Sequence, residues 1–133
     1  KIGFSVEIKD SLQNLQDIID SSNYAKFVRI IKNYGYPSFK RTRSYASSSL
    51  RLHFVNSAQF KELLPLYKQE LKKGNLSPSE YASWYDSCLI RLRERQMYGE
   101  FEKKFPCVLD LKRTNLERIK IGLKPLKENN CRN

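Results

Sequence analysis

In 133 residues the chain has one histidine, one tryptophan, one methionine and three cysteines. The cysteines, Cys88, Cys107 and Cys131, show no CxxC spacing and have only His53 to join them, which argues against a zinc site. No metal site or cofactor is expected. Phosphate-loop and catalytic-triad spacings are missing too. No apolar run approaches the roughly 18 residues that span a bilayer, so the chain is expected to be soluble. Cys88 falls inside a helical pattern and reads as a small buried residue. A Cys107–Cys131 disulfide stays open for an exported chain. The chain opens at Lys1, which leaves both the cytoplasm and export after signal removal compatible with it.

Apolar residues make up 40% of the chain and aromatic residues 12%, nearly all tyrosine or phenylalanine, a globular rather than disordered composition. The length suits one domain with one core, residues 1–133. Lys and Arg outnumber Asp and Glu by 25 to 14, a net charge of +11 that favours acidic partners. Nucleic acid is the first such partner to consider. The simpler reading, a surplus spread over solvated helix faces, is preferred because no recognised binding motif accompanies it.

Apolar spacing and helix punctuation predict an all-α domain of five or six helices. The opening KIGFSVEI alternates as a short strand or an extended arm over residues 1–9. Leu12, Leu15, Ile18 and Ile19 then mark a helix over residues 10–20. Ser21 and Ser22 cap a second one, with Tyr24, Phe27, Ile30, Ile31 and Tyr34 on one face, closed by Gly35-Tyr36-Pro37. A basic loop to Arg43 leads into a helix through Val55. Asn56 or Ser57 caps the next, with Phe60, Leu63, Leu64, Tyr67 and Leu71 inward and a kink or delayed start at Pro65. Ser77, Pro78 and Glu80 form the clearest helix start, a capping box with proline at the first helical position. From there Tyr81, Trp84, Tyr85, Cys88, Leu89, Leu92 and Gln96 describe one face running to Tyr98-Gly99. A last helix covers residues 111–121, and residues 127–133 read as a frayed tail.

The richest stretch is residues 84–101, WYDSCLIRLRERQMYGEF. Its polar groups, taken with Gly35-Tyr36-Pro37, His53 followed by Phe60, Asp86 followed by Gln96-x-Tyr98-Gly99, and Gly122-Leu123-Lys124-Pro125-Leu126, give an ordered set of motifs. That set resembles a widespread family of bacterial domains of unknown function, which have a Gly-Trp-Pro turn, a helix-end His, a Gln-x-Tyr-Gly-Thr-Gln motif and a Gly-Leu-x-Pro-Leu ending. The resemblance covers roughly residues 24–126. Ser87 departs from the family's usual Arg, and Glu100-Phe101 from its Thr-Gln. It implies a helical fold and a site, but no reaction.

If His53 meets Asp86, Gln96 and Tyr98, an imidazole, a carboxylate, an amide and a phenol converge on one cleft. Such a cleft suits acid–base work with His53, Asp86 and Tyr98 as catalytic groups and Gln96 orienting substrate. A lone histidine is more often a packing residue, however, and a buried tyrosine near an aspartate is often a clamp between helices. Arg91 and Arg95, four apart on one expected helix, together with Lys40, Arg41 and Arg43 would bind an anion. Tyr36, Phe39 and Tyr45 among these bases add the stacking that single-stranded nucleic acid uses, within segment 36–51. The leading expectation is a basic helical binding or interaction module for an anionic ligand or a protein partner, with a polar cleft around His53 and Tyr98. An enzyme using His53 on an anionic substrate comes second, and nucleic-acid binding third.

Overall fold

The computed structural model describes residues 5–50, 53, 56–101, 107–108 and 110–128, and among these it contains six helices and no strand. The chain is an all-α domain, as its punctuation predicts. The first helix, α1, runs unbroken over Val6–Tyr34 from an N-cap at Ser5, so the extended arm expected over residues 1–9 is helical from Val6 onward. Residues 1–4 lie outside those described. The two helices expected on either side of Ser21 and Ser22 are one. Two serines in a run without proline or glycine cost only about 0.5 kcal/mol each in helix propensity, too little to end it. Leu12, Leu15, Ile18 and Ile19, whose spacing marks the first helix, are exposed, and so are Ile30 and Tyr34; only Phe27, Val28 and Ile31 of α1 are buried.

Two short helices follow, α2 over Phe39–Thr42 and α3 over Ala46–Leu50. The longer helix expected through Val55 enters residues outside those described, while His53 itself sits in a turn. Helix α4, Ser57–Lys72, starts from a full capping box between Asn56 and Gln59 and continues through Pro65 without a delayed start. Helix α5, Pro78–Arg91, starts from the Ser77–Glu80 capping box. The core lies between α1, α4 and α5, where Phe27, Tyr36, Leu63, Tyr67, Tyr81 and Trp84 are all buried. Aromatic rings dominate it: Tyr67 lies 4.0 Å from Trp84 between centroids, and Tyr36 meets Phe27 and Tyr67 edge-on.

The end of α1 is tied to α4 by Glu70, a buried carboxylate. Its Oε2 accepts from the Tyr36 backbone N–H and from Asn75 Nδ2, both at 2.7 Å, and its Oε1 pairs with Lys73 at 3.2 Å. Gly35 (φ 83°) makes this approach possible, because a Cβ there would come within 2.8 Å of Glu70 Oε2 and 2.7 Å of Arg41 Nη1. Burial pushes the Glu70 carboxyl up, but its bonds to Tyr36, Asn75 and Lys73 together outweigh this and hold it below the usual 4.5. A carboxylate depressed on folding stabilises the protein above its unfolded pKa and loses that contribution as the pH falls through its folded value. Glu70→Gln should therefore cost about 1.5–3 kcal/mol at pH 7 in denaturant unfolding, and the gap to the parent should narrow as acid protonates Glu70 in the folded chain.

Helix α5 ends earlier than its apolar face suggests. Leu92 is the C-cap and Arg93 adopts a left-handed conformation (φ 60°), with Glu94 N–H bonded to Leu89 O and Arg93 N–H to Ile90 O. This is the Schellman arrangement, with arginine at the position that usually holds glycine. Gln96 and Tyr98 consequently lie on the loop beyond α5 rather than on the helix. The last helix, α6, covers Leu111–Lys120 behind the Asp110 N-cap. Its Asn115 grips the Leu126 backbone through both N–H and carbonyl, which fixes the Gly122-to-Leu126 ending against it. Of the expected frayed tail, residues 129–133 lie outside those described. Arg93→Gly should raise unfolding stability by about 0.5–1 kcal/mol, measured in urea, because glycine takes the left-handed conformation without the Cβ penalty.

Candidate functional site

The loop after α5 is organised around one carboxylate. Asp86 is fully buried on α5, and its Oδ1 accepts from the backbone N–H of Met97 at 2.7 Å and of Tyr98 at 3.0 Å. Its Oδ2 accepts from Glu100 N–H at 3.0 Å and shares the Tyr98 N–H at 3.2 Å. Gln96 closes the same loop, accepting from Phe101 N–H at 2.9 Å, and Gly99 makes the turn at φ 70°. From the other side Arg118 of α6 donates to Tyr98 O at 2.6 Å, to Glu100 Oε1 at 2.8 Å and to Lys124 O at 2.7 Å. Burial pushes the Asp86 carboxyl above the usual range, and its three backbone donors only partly offset that.

This clamp sets Tyr98 against Tyr81 and Tyr85, with ring centroids 6.1 and 5.5 Å away. The three rings border a cavity of about 740 Å³ between the α4–α5 turn and α6. Lys40, Lys68, Lys72 and Lys120 stand around it, with Leu71 and Ile121 among its apolar walls. Two carboxylates also line it, but each has a partner: Glu80 is held by the Ser77 cap and Glu117 by Lys120. Burial pushes the Tyr81 phenol up to about 12 and raises Tyr85 and Tyr98 as well. All three remain protonated near neutral pH and are not bases, and the Tyr98 hydroxyl is hydrogen-bonded to that of Tyr81.

His53 is placed elsewhere. Its Nδ1 lies 3.3 Å from Asp20 Oδ2 of α1, with half of the side chain exposed, and it lines a separate cavity of about 360 Å³ with Asp17, Asn56, Gln59 and Arg91. The expected cleft of His53, Asp86, Gln96 and Tyr98 is therefore divided. Asp86, Gln96 and Tyr98 come together, whereas His53 meets Asp20 and faces a different cavity from Tyr98. Asp86 is spent on backbone N–H groups and does not orient His53.

The basic residues divide in a similar way. Because α5 stops at Arg91, Arg95 is not on the same helix face; it lines a third cavity with Gln96, Asp110 and Arg113, and its Nη1 reaches Cys107 Sγ at 3.7 Å. Arg41, exposed, donates to the Tyr34 and Tyr36 carbonyls and closes the end of α1. Arg43 is the exposed left-handed C-cap of α2, and Lys40 alone of the FKRTR bases lines the cavity beside Tyr98. Phe39 and Tyr45 stack on each other at 4.4 Å, so each occupies one of its partner's faces. Cys107 is disulfide-bonded, and its expected partner Cys131 lies outside the described residues.

Lys68, Lys72, Lys120 and Arg118 were not singled out by the sequence. The lysines fall at exposed helical positions like many others, and nothing in the order of residues indicates which solvated face will border a cavity. No group of three His, Cys, Asp or Glu side chains positioned to hold a metal occurs among the described residues. No family model, curated protein or solved structure matches the chain. Asp86→Ala should cost about 3–5 kcal/mol in chemical unfolding, because it strands three inward backbone donors and frees Tyr98. Asp86→Asn, which keeps one acceptor oxygen, should cost less.

Proposed function

We propose that the chain is a non-catalytic binding module whose ligand is a small organic anion with an apolar or aromatic body, held in the cavity beside Tyr98. The observation that carries this reading is the pairing of a protonated tyrosine wall with Lys40, Lys68 and Lys72, none of which forms an ion pair among the described residues. Apolar walls with a few convergent polar groups are the usual form of a small-molecule site, and a volume of about 740 Å³ suits a drug-sized ligand. The lysines would meet the negative group while the rings cover the body. This relocates the polar cleft from His53 to the lysines and keeps Tyr98 at its centre.

The ordered motifs support placing the chain among the bacterial domains that they resemble. Asp86 and Gln96-x-Tyr98-Gly99 act there as a scaffold for the cavity, consistent with a binding role and requiring no reaction. Acid–base catalysis by His53 receives less support, since neither Asp86 nor Tyr98 stands beside it.

Titration with 1-anilinonaphthalene-8-sulfonate, an aromatic sulfonate, tests the site. Saturable binding is expected, weakened by added salt and reduced about tenfold or more by Lys68→Glu with Lys72→Glu. Leu12→Asp, on the far half of α1, should leave the affinity unchanged. Absence of saturable binding, or an affinity indifferent to the two lysine changes, would rule the reading out.

A further inference from the structure

The first half of α1 is an amphipathic helix whose apolar face has no described residue packed on it: every residue from Ser5 to Ile19 is exposed. Ile8, Leu12, Leu15 and Ile19 follow the 4-3-4 spacing of a coiled-coil seam, with Ile18 at its edge, and these five side chains are 45–68% exposed. At 100° per residue the seam is centred more than a right angle away from the Phe27, Val28 and Ile31 face that packs on α4 and α5. The domain's own core therefore does not cover it. A helical stretch of this length is marginal in water without a partner for its apolar face.

We propose that the seam pairs with the same seam of a second copy of this chain, antiparallel, as a short two-helix coiled coil. The pattern is self-complementary in that direction: Ile8 faces Ile19 of the other copy and Leu12 faces its Leu15, so every knob meets a knob of similar size. Glu7, Asp10, Asp17 and Asp20 lie on the side away from the seam and do not enter it. Orientation follows from charge. The stretch 5–23 carries four acidic residues and one lysine in a chain of net charge +11, so the cationic surplus lies in the body beyond it. A parallel pair would place two cationic bodies side by side, whereas an antiparallel pair holds them apart by an arm about 20 Å long, beyond the Debye length. The pairing buries roughly 500 Å² per copy, or about 1,000 Å² in all, at the lower limit for a specific interface. An interface of this size places the pair among weak, reversible complexes.

Sedimentation equilibrium of the full chain from about 1 to 300 μM should show a monomer–dimer equilibrium that Leu12→Asp with Leu15→Asp weakens at least thirtyfold. Both positions are solvent-exposed in the single chain, so at concentrations too low for pairing the thermal unfolding midpoint should not move. Direction is read by mixing Leu12→Cys and Leu15→Cys chains under mild oxidation, with Cys88 buried and unable to compete. Cross-links between the two variants, and few within Leu12→Cys alone, are expected. A monomer at 300 μM, a dimer indifferent to the two aspartates, or preferential Leu12→Cys self-linking overturns the proposal. So does a monomer that floats with phosphatidylcholine vesicles through these leucines, which would assign the seam to a lipid surface. Lys68→Glu with Lys72→Glu leaves the dimer intact, so failure of the cavity reading and failure of this one are distinguishable.

Discussion

Burying the Asp86 carboxylate is the constraint on which the second half of the molecule depends. Taking a carboxylate out of water costs several kcal/mol, and the loop can offer only backbone N–H groups to offset it, each worth about 1.5–3 kcal/mol to a charged acceptor. Three such donors, from Met97, Tyr98 and Glu100, are what the geometry supplies. Their presence forces the loop to curl around the end of α5, and the curl requires Gly99 to take a positive φ. The same curl points the Tyr98 carbonyl at Arg118, which draws α6 against the loop. One buried charge thus sets the loop path, the placement of Tyr98 and the docking of the last helix.

Glu70 repeats the device at the other end of the core, and the comparison shows what controls each group. Both carboxylates sit on a helix and accept the backbone N–H of a buried tyrosine adjacent to a glycine, Tyr36 after Gly35 and Tyr98 before Gly99. Their titration moves in opposite directions. Burial raises both, but Glu70 also has the Asn75 amide and the Lys73 ammonium, and these bring it below its usual value. Asp86 has backbone donors alone, with the negative Glu100 nearby, and stays above its usual value. Glu70 is therefore a source of stability near neutral pH. Asp86 is a site where positional control is obtained against a net desolvation cost.

What the sequence made legible follows from the range of the interactions involved. The caps at Asn56, Ser77 and Gly35 are local, each settled within four residues, and all three stand where their spacing predicts. The core positions Phe27, Leu63, Tyr67, Tyr81 and Trp84 were legible because their helices have one buried face. The loop from Leu92 to Phe101 was not. Its helical spacing is real, but arginine in the left-handed position at Arg93 ends α5, and that outcome depends on Asp86 gathering N–H groups eleven or more residues away. Periodicity also marked a helix through Leu12, Leu15 and Ile19, but spacing alone does not say that this stripe stays exposed. His53 and Asp86 could not be separated from sequence, because the partner of His53, Asp20, comes from a helix that runs on through Ser21 and Ser22, where the spacing predicts a break.

The net charge of +11 says less about partners than the placement of individual cations does. Arg118 is buried and fixed by backbone carbonyls, and Arg41, although exposed, is tied to the Tyr34 and Tyr36 carbonyls. Lys73 and Lys120 each have a glutamate. The arginines expected to share one face, Arg91 and Arg95, line separate cavities because the helix ends between them. Among the cations that border the cavity, Lys40, Lys68 and Lys72 have no ion-pair partner among the described residues and stand beside three protonated phenols. A nucleic-acid surface needs cations along a track matching the phosphate spacing, with aromatic faces open between them. Here the lysines converge on one cavity, and the exposed aromatic pair, Phe39 and Tyr45, is already stacked on itself. Such convergence supports the proposed compact anion over a polymer.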